Sequence, residues 1–294
     1  MAAVLFFFGP LTNVVTIIPM LAQVNVTVDN LRRLEATLDD GLKKTAEHEA
    51  APEIDLSDFQ MIGLDGVCFH YRDPDGNATF QVGPIVGELR RGEILFLVGG
   101  NGSGKTTFLK LFTALYRPSE GAIRVDDRVI GPANIQSYRN LFSAIFSDFH
   151  LFDKLHGLRD AAPERVNALL RLMEISGKTA FADGRFSTTH LSTGQRKRLA
   201  LVVSYLEDKP VYIFDEVAAD QDPQFRRYFY ETMLPELKNA GKTVVVVSHD
   251  DRYFHVGDRL LQMDYGKLSA LPYSGAKPAP KKRAARRSKK PEPG

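Results

Sequence analysis

The run Gly99-Gly100-Asn101-Gly102-Ser103-Gly104-Lys105-Thr106 fits the pattern G-x-x-x-x-G-K-[ST]. Glycines at these places let a backbone curl until its N–H groups point inward, and such a concave row of donors cradles phosphate oxygens. A helix starting near Lys105 would aim its positive end at the same point. Lys105 would reach the outer phosphates of a nucleotide, and the Thr106 hydroxyl would ligate Mg2+. The flanks are the ones this chemistry needs. Glu93-Ile94-Leu95-Phe96-Leu97-Val98 reads as a short buried strand, and Thr107-Phe108-Leu109-Lys110-Leu111-Phe112 as the first turns of a helix.

Two further runs, Val211-Tyr212-Ile213-Phe214 and Thr243-Val244-Val245-Val246-Val247, are near-continuous β-formers. Such runs suit central parallel strands covered on both faces. Each ends in polar residues, where an open α/β sheet places its ligands. The first closes on Asp215-Glu216: Asp215 can help hold Mg2+, and Glu216 can orient or deprotonate an attacking water. The second closes on Ser248-His249-Asp250, and His249 can donate a hydrogen bond to a γ-phosphate. An acid pair or a histidine at a strand end says little alone; a phosphate loop upstream gives both their weight.

Around these residues the chain alternates strands, turns and helices. Met61 to Tyr71 and Thr79 to Val82 read as strands split by the turn Asp73-Pro74-Asp75-Gly76-Asn77. Ile123-Arg124-Val125 followed by Asp126-Asp127 suggests a short hairpin. Pro163 to Ser176 reads as a helix with Val166, Leu169, Leu170 and Met173 on one face. A chain of 294 residues, 44% hydrophobic and 25% charged, can build one large domain or two modest ones around a real core. The net charge of +2 conceals an asymmetry, because the segment from Lys277 onward carries many Lys and Arg and one acid, Glu292. The rest of the chain is acidic, so the basic tail says little about the folded part's partners. The tail could bind polyanions, touch anionic lipid or stay solvated. The single cysteine, Cys68, excludes an internal disulfide, fits a reducing compartment and reads as a buried strand residue rather than a nucleophile.

Met1 to Val28 contains no charged side chain. An uncharged run of this length meets the criterion for a transmembrane helix, although Pro10 and Pro19 would interrupt or kink it and Asn13 and Gln23 soften it. The alternative is an apolar segment buried on some other surface. No basic segment precedes the run, so it is a poor secretory signal. From Asp29 to Glu49, Leu31, Leu34, Leu38 and Leu42 recur at helical spacing among charges, with Arg32 and Arg33 just past the apolar run, where inner-face positive charge is expected. Ala50 to Asp58 reads as a linker.

Leu191-Ser192-Thr193-Gly194-Gln195 resembles the LSGGQ signature of ABC ATPases, and Arg196-Lys197-Arg198-Leu199-Ala200 continues it. The order phosphate loop, signature, acid pair and histidine is that family's order, and the match covers about residue 60 to residue 270. The resemblance implies an α/β fold: an ABC-type P-loop NTPase domain with an antiparallel β-subdomain and a helical subdomain, preceded here by an apolar, transmembrane helix. It implies ATP contacts from Tyr71, Gly99, Asn101, Gly102, Ser103, Gly104, Lys105, Thr106 and Thr107. Tyr71 would stack on adenine, with Phe69 as the other choice. Ser192, Thr193, Gly194 and Gln195 would reach the nucleotide of a second ABC ATPase domain in a head-to-tail dimer. Thr106 and Asp215 would hold Mg2+, and Glu216, His249 and Lys105 would carry catalysis. Ala219-Asp220-Gln221-Asp222 occupies the D-loop, with Ala219 in place of its serine. GTP is disfavoured, since no N-K-x-D element stands in the sequence.

One departure is clear. Phe142 to Phe152 resembles the Q-loop region, but Ser147 stands where glutamine would be, with Asp148 beside it. This Ser-Asp pair, with Gly9-Pro10-Leu11 and Pro19, resembles the cyclic peptide and siderophore-precursor exporters of bacteria, in which six membrane helices are fused to one ATPase domain. The expected organisation is a remnant of that membrane domain over 1–49, a linker over 50–59, the ATPase domain over 60–272 and a basic tail over 273–294. The implied function is ATP hydrolysis coupled to export at the bacterial inner membrane, with the ATPase domain in the cytoplasm. The implied partners are a second ATPase domain, a transmembrane domain or separate membrane subunit, and the lipid bilayer. Two other readings stand beside it: a soluble ABC-family ATPase acting on nucleic acid or ribosomes, and an inactive or scaffolding fragment. The first usually carries two ATPase domains in one chain; no second phosphate loop is present, and no specific nucleic acid is expected. The second is opposed by the presence of the candidate Lys, Asp, Glu and His together.

Overall fold

A computed structural model describes residues 20, 23–32, 34–35, 54–73, 77–158 and 161–272. The strands are β1 (Met61–Arg72), β2 (Ala78–Arg90), β3 (Ile94–Val98), β4 (Glu120–Val125), β5 (Arg128–Val129), β6 (Phe142–Ile145), β7 (Phe181–Ala182), β8 (Arg185–Phe186), β9 (Val211–Asp215), β10 (Thr243–Val247), β11 (Arg259–Asp264) and β12 (Lys267–Ala270). Two units divide the chain, residues 1–53 with 131–136, and residues 54–130 with 137–294; the site described below lies in the second.

The unbroken β-formers of β9 and β10 are buried at every position. Strands with that pattern must be covered on both faces, and they form the middle of a six-stranded sheet ordered β12-β11-β3-β10-β9-β6. β10 runs parallel to β3 on one side and to β9 on the other, with Val247 opposite Leu97 and Asp215. This register levels three carboxyl ends, so the loops that follow β3, β9 and β10 leave the sheet side by side, where a doubly wound sheet binds ligands. Phe214 is fully buried, edge-on to Phe229 at 5.5 Å, and Met173, Leu199 and Leu201 join the same core.

A second, antiparallel sheet is ordered β2-β1-β4-β5. Cys68 is buried on β1, as its apolar setting predicts. The β4–β5 hairpin stands at the expected turn. β2 runs well past the expected Val82, because Gly83-Pro84 sits at a bulge rather than a break: the register slips between Val67 and Phe69, and Gly83 has φ 107°. The helix expected over 163–176 ends earlier, at α2 (Pro163–Leu172), where Glu174 turns left-handed at φ 57°. The other helices that matter are α1 (Lys105–Phe112), α3 (Thr193–Glu207) and α4 (Pro223–Tyr228). An α/β P-loop fold with a β-subdomain and a helical part is therefore present.

The membrane helix is a correction. Residues 23–32 are helical, with Val24, Val26, Val28 and Leu31 exposed. Among the described residues no helix is long and apolar enough to cross a membrane. The described turns span about 15 Å at 1.5 Å per residue, half of a hydrocarbon core about 30 Å thick. Gln23, Asn25, Thr27, Asp29 and Arg32 also interrupt their apolar character. Neither the transmembrane helix before the domain nor a membrane-domain remnant over 1–49 is supported. The Gly9-Pro10-Leu11 and Pro19 pattern and the basic tail lie outside the described residues.

Candidate active site

The phosphate loop joins β3 to α1 and lines a cavity of about 360 Å³ with Phe80, Asn101, Gly102, Ser103, Gly104, Lys105, Thr106, Thr107 and Glu216 around it. Gly104 caps α1 at φ 103°, a conformation closed to residues with a Cβ. Gly99 passes so close to the Met263 carbonyl that a Cβ there would collide with it. Lys105 is 6% exposed, and its Nζ donates to the carbonyls of Gly99 (2.9 Å) and Gly100 (3.0 Å). Ser103 Oγ is buried with no hydrogen-bond partner among the described residues. A buried hydroxyl without a partner is costly unless a ligand completes it.

The ends of β9 and β10 complete the cavity. Thr106 Oγ1 donates to Asp215 Oδ2 at 2.8 Å, and the Ser147 N–H approaches the same oxygen at 3.4 Å. His249 Nε2 lies 3.2 Å from Glu216 Oε1, and Lys105 Nζ lies 4.0 Å from that oxygen. Lys105, Thr106, Asp215, Glu216 and His249, chosen from three separate stretches of sequence, thus meet through direct contacts at one sheet edge.

Asp215 is 1% exposed, and burial pushes its carboxyl above the usual carboxylate range, against the pull of the Thr106 hydroxyl and the Ser147 N–H. An acid whose folded-state pKa is raised holds its proton more tightly folded than unfolded. Its charge therefore costs stability above the raised value, and that cost fades as pH falls to the unfolded value, roughly 4. Asp215→Asn is expected to stabilise the nucleotide-free and metal-free chain at neutral pH and raise its urea midpoint, because the amide keeps an acceptor for Thr106 and carries no charge to bury. The gain should vanish on acidification toward pH 4. Urea titrations of both chains across this range check it; equal midpoints at neutral pH would contradict it.

Tyr71 is exposed beside this cavity but does not line it; its hydroxyl shares a hydrogen bond with Thr107 Oγ1 at 3.3 Å. Phe69 has one ring face covered by Tyr116, stacked at 4.9 Å, which leaves Tyr71 the freer aromatic. Phe80, which sequence reasoning passed over, lines the cavity itself and lies 6.4 Å from the Tyr71 ring. Its place on a strand paired with Tyr71 through the β1–β2 register is the signal that could have found it.

Asp148 points elsewhere. It pairs with Lys110 Nζ at 2.9 Å on α1, and that ammonium holds its carboxyl below the usual range. Ser147 meets Asp215 through its backbone N–H and its side chain, while the Asp148 carboxylate is engaged by Lys110 rather than by Thr106 or Asp215.

Ser192, Thr193, Gly194 and Gln195 are not among the residues lining the phosphate cavity. Ser192 caps α3 in a capping box: its hydroxyl accepts from Gln195 N–H at 3.4 Å, and Gln195 Oε1 accepts from Ser192 N–H at 3.2 Å. Gly194 is packed under the next loop, where a Cβ would meet the Asp220 carbonyl at 2.7 Å. Arg198 is buried, stacks 3.9 Å from the Phe225 ring, and bonds Gln221, Glu174 and Asp222. Asp222 caps α4 and is held below the usual carboxylate range first by the Phe225 N–H. Sequence reasoning named Arg198 only as part of a motif. Two cations, Lys197 and Arg198, directly ahead of Leu199-Ala200-Leu201 in a helix this buried were the sign that both needed partners.

Comparisons with known proteins give the family and the fold. A family model described as ABC transporter matches residues 82–219. The chain is 40% identical over 272 residues to the ATP-binding protein SyrD of Pseudomonas syringae pv. syringae, covering 90% of this chain and 48% of that one. It is 32% identical over 196 residues to the glutamate/aspartate import ATP-binding protein GltL of Escherichia coli (strain K12), covering 62% of this chain and 80% of that one. An ATP-dependent lipid A-core flippase of Ralstonia nicotianae matches at 28% over 217 residues, 69% of this chain and 36% of that one. The chain thus spans about half or less of SyrD and the flippase. Among solved structures, a bacterial Atm1-family ABC exporter with ATP bound is similar in fold, with a TM-score of 0.63 and 23% identity over 75% of this chain and 39% of that one.

Proposed function

The chain belongs to the ABC transporter family as an ATP-binding, ATP-hydrolysing domain, and from that premise we propose that it hydrolyses Mg-ATP at the cavity of the phosphate loop to drive a membrane-spanning exporter. The observation that supports this best is the contact set Thr106–Asp215 and Lys105–Glu216–His249 at the rim of one phosphate-sized cradle.

The residues present fit Mg2+. Thr106 and Asp215 offer hard oxygen ligands already within 2.8 Å of each other, and Asp215 is a buried carboxylate short of counter-charge. Mg2+ characteristically takes few protein ligands and fills the rest with water and substrate phosphate. When bound, the ion supplies positive charge at the phosphates. Backbone N–H groups of 99–104, the Ser103 hydroxyl and the Lys105 ammonium bind the triphosphate. Lys105 leaves the Gly99 and Gly100 carbonyls to do so. Tyr71, Phe80 or both pack the base or ribose. Glu216 accepts the proton of the attacking water, and His249 steadies Glu216 at the carboxylate oxygen that Lys105 also faces. There is little covalent chemistry for the protein to perform, so placed charge carries the rate.

Ser192 to Gln195 lie away from the chain's own cavity, which favours a head-to-tail pair in which each nucleotide meets one chain's loop and the other's α3 start. The domain would sit over residues 60–272 on the cytoplasmic face of a bacterial inner membrane, with a membrane-spanning partner and the bilayer at hand. A peptide or peptide-like siderophore precursor is the cargo we favour. It is supported by the resemblance of the Ser147-Asp148 pair to the cyclic peptide and siderophore-precursor exporters of bacteria. The direct test is phosphate release from ATP by the purified chain with and without Mg2+. Mg2+-dependent turnover supports the reading, and ATP binding without turnover at any protein concentration would overturn it.

A further inference from the structure

Lys197 is a buried cation that none of these steps uses. It lies at the start of the second turn of α3, and its side chain is 8% exposed. Its Nζ donates to the Glu216 carbonyl at 2.8 Å and to Asp220 Oδ2 at 2.6 Å. The residue it grips is held in an unusual conformation: Glu216 has φ +55°, the left-handed region that residues with a Cβ seldom enter. Such a conformation persists only where neighbours over-determine it. Here the Glu216 N–H donates to the Val247 carbonyl at 3.2 Å, and the Glu216 carbonyl receives both Lys197 and the Ala219 N–H, the latter at 3.2 Å. Of these contacts, only the one from Lys197 is charged and comes from another helix.

We propose that Lys197 is a positioning residue for Glu216. Its ammonium pins the Glu216 carbonyl so that the left-handed turn faces the carboxylate toward Lys105 and His249; the half-exposed Asp220 only balances its charge. The proposal rests on the hydrolase reading for its kinetic consequence, and on geometry alone for the hold itself.

Two measurements separate the two. In the nucleotide-free full chain, amide hydrogen exchange over residues 216–221 is expected to quicken by about tenfold or more in Lys197→Met, with the β3 and β10 amides unchanged. In turnover, Lys197→Met is expected to lower kcat about 100-fold, the scale of a misplaced reacting group, with KM for ATP within about threefold. Lys197→Gln keeps an N–H donor and should recover about tenfold of that loss. Asp220→Asn keeps the ammonium on the Glu216 carbonyl and should stay within about threefold of the parent chain. Unchanged exchange over 216–221 in Lys197→Met overturns the proposal. So does a loss in Asp220→Asn equal to that in Lys197→Met, which would place the effect in the ion pair. Should the parent chain release no phosphate, the hydrolase reading falls while exchange still decides whether Lys197 holds Glu216. If Lys197→Met does not fold, the Gln and Asn variants carry the same comparison.

Discussion

Glu216→Gln is expected to lower kcat for ATP about 1,000-fold while ATP still binds, within the range that removing a general base costs. The amide is nearly isosteric, and its oxygen can still accept from His249 as Glu216 Oε1 does at 3.2 Å. What it loses is the capacity to take a proton and a negative charge 4.0 Å from Lys105. Removing that charge beside a triphosphate favours binding, so ATP affinity should hold or rise. With hydrolysis blocked, nucleotide-bound pairs should accumulate, and sedimentation with ATP should show the variant as dimers where the parent chain is mostly monomer. A variant that turns over ATP within tenfold of the parent would remove Glu216 from the chemistry.

The second large effect is expected at Lys105. Lys105→Ala should weaken ATP binding by at least about 100-fold, since a charge-assisted bond contributes roughly 1.5–3 kcal/mol and Lys105 offers more than one. The free chain has a smaller stake. Nζ now satisfies the carbonyls of Gly99 and Gly100, and leaving them without that donor should cost about 1 kcal/mol of stability. Calorimetric titration with ATP measures the first effect and urea unfolding the second. An affinity loss under threefold would mean that the loop does not cradle phosphate.

The chemistry was legible in the sequence where residue type and strand pattern coincide. Buried β-formers running into Asp215-Glu216 and into Ser248-His249 placed those side chains at a sheet edge, and the structure levels both ends beside the loop after β3. Contacts made across distant chain segments were not legible. Nothing local says that Asp148 will pair with Lys110 on α1 rather than approach Thr106, or that Lys197 will reach back to the Glu216 carbonyl. β11 and β12 escaped notice because Arg259, Gln262 and Asp264 blur their period, and only one face of β11 is well buried. β2 looked short because Gly83-Pro84 reads as a terminator until its bulge is seen. The apolar run over 1–28 misled in the opposite way. Absence of charge suggested a membrane helix, but among the described residues no helix is long and apolar enough to cross a membrane.

The most direct test is complementation. Ser192→Asp keeps a good helix cap but sets a negative charge where a partner's triphosphate would meet α3, so it should be as inactive as Lys105→Ala. A mixed pair of the two variants contains one cavity in which Lys105 and Ser192 are both intact. Phosphate release should therefore be near zero for each variant alone. On mixing, it should return to roughly a quarter of the parent rate, because about half the pairs are mixed and each has one working site of two. Mixing that restores nothing, while the parent chain is active, would contradict the head-to-tail hydrolase.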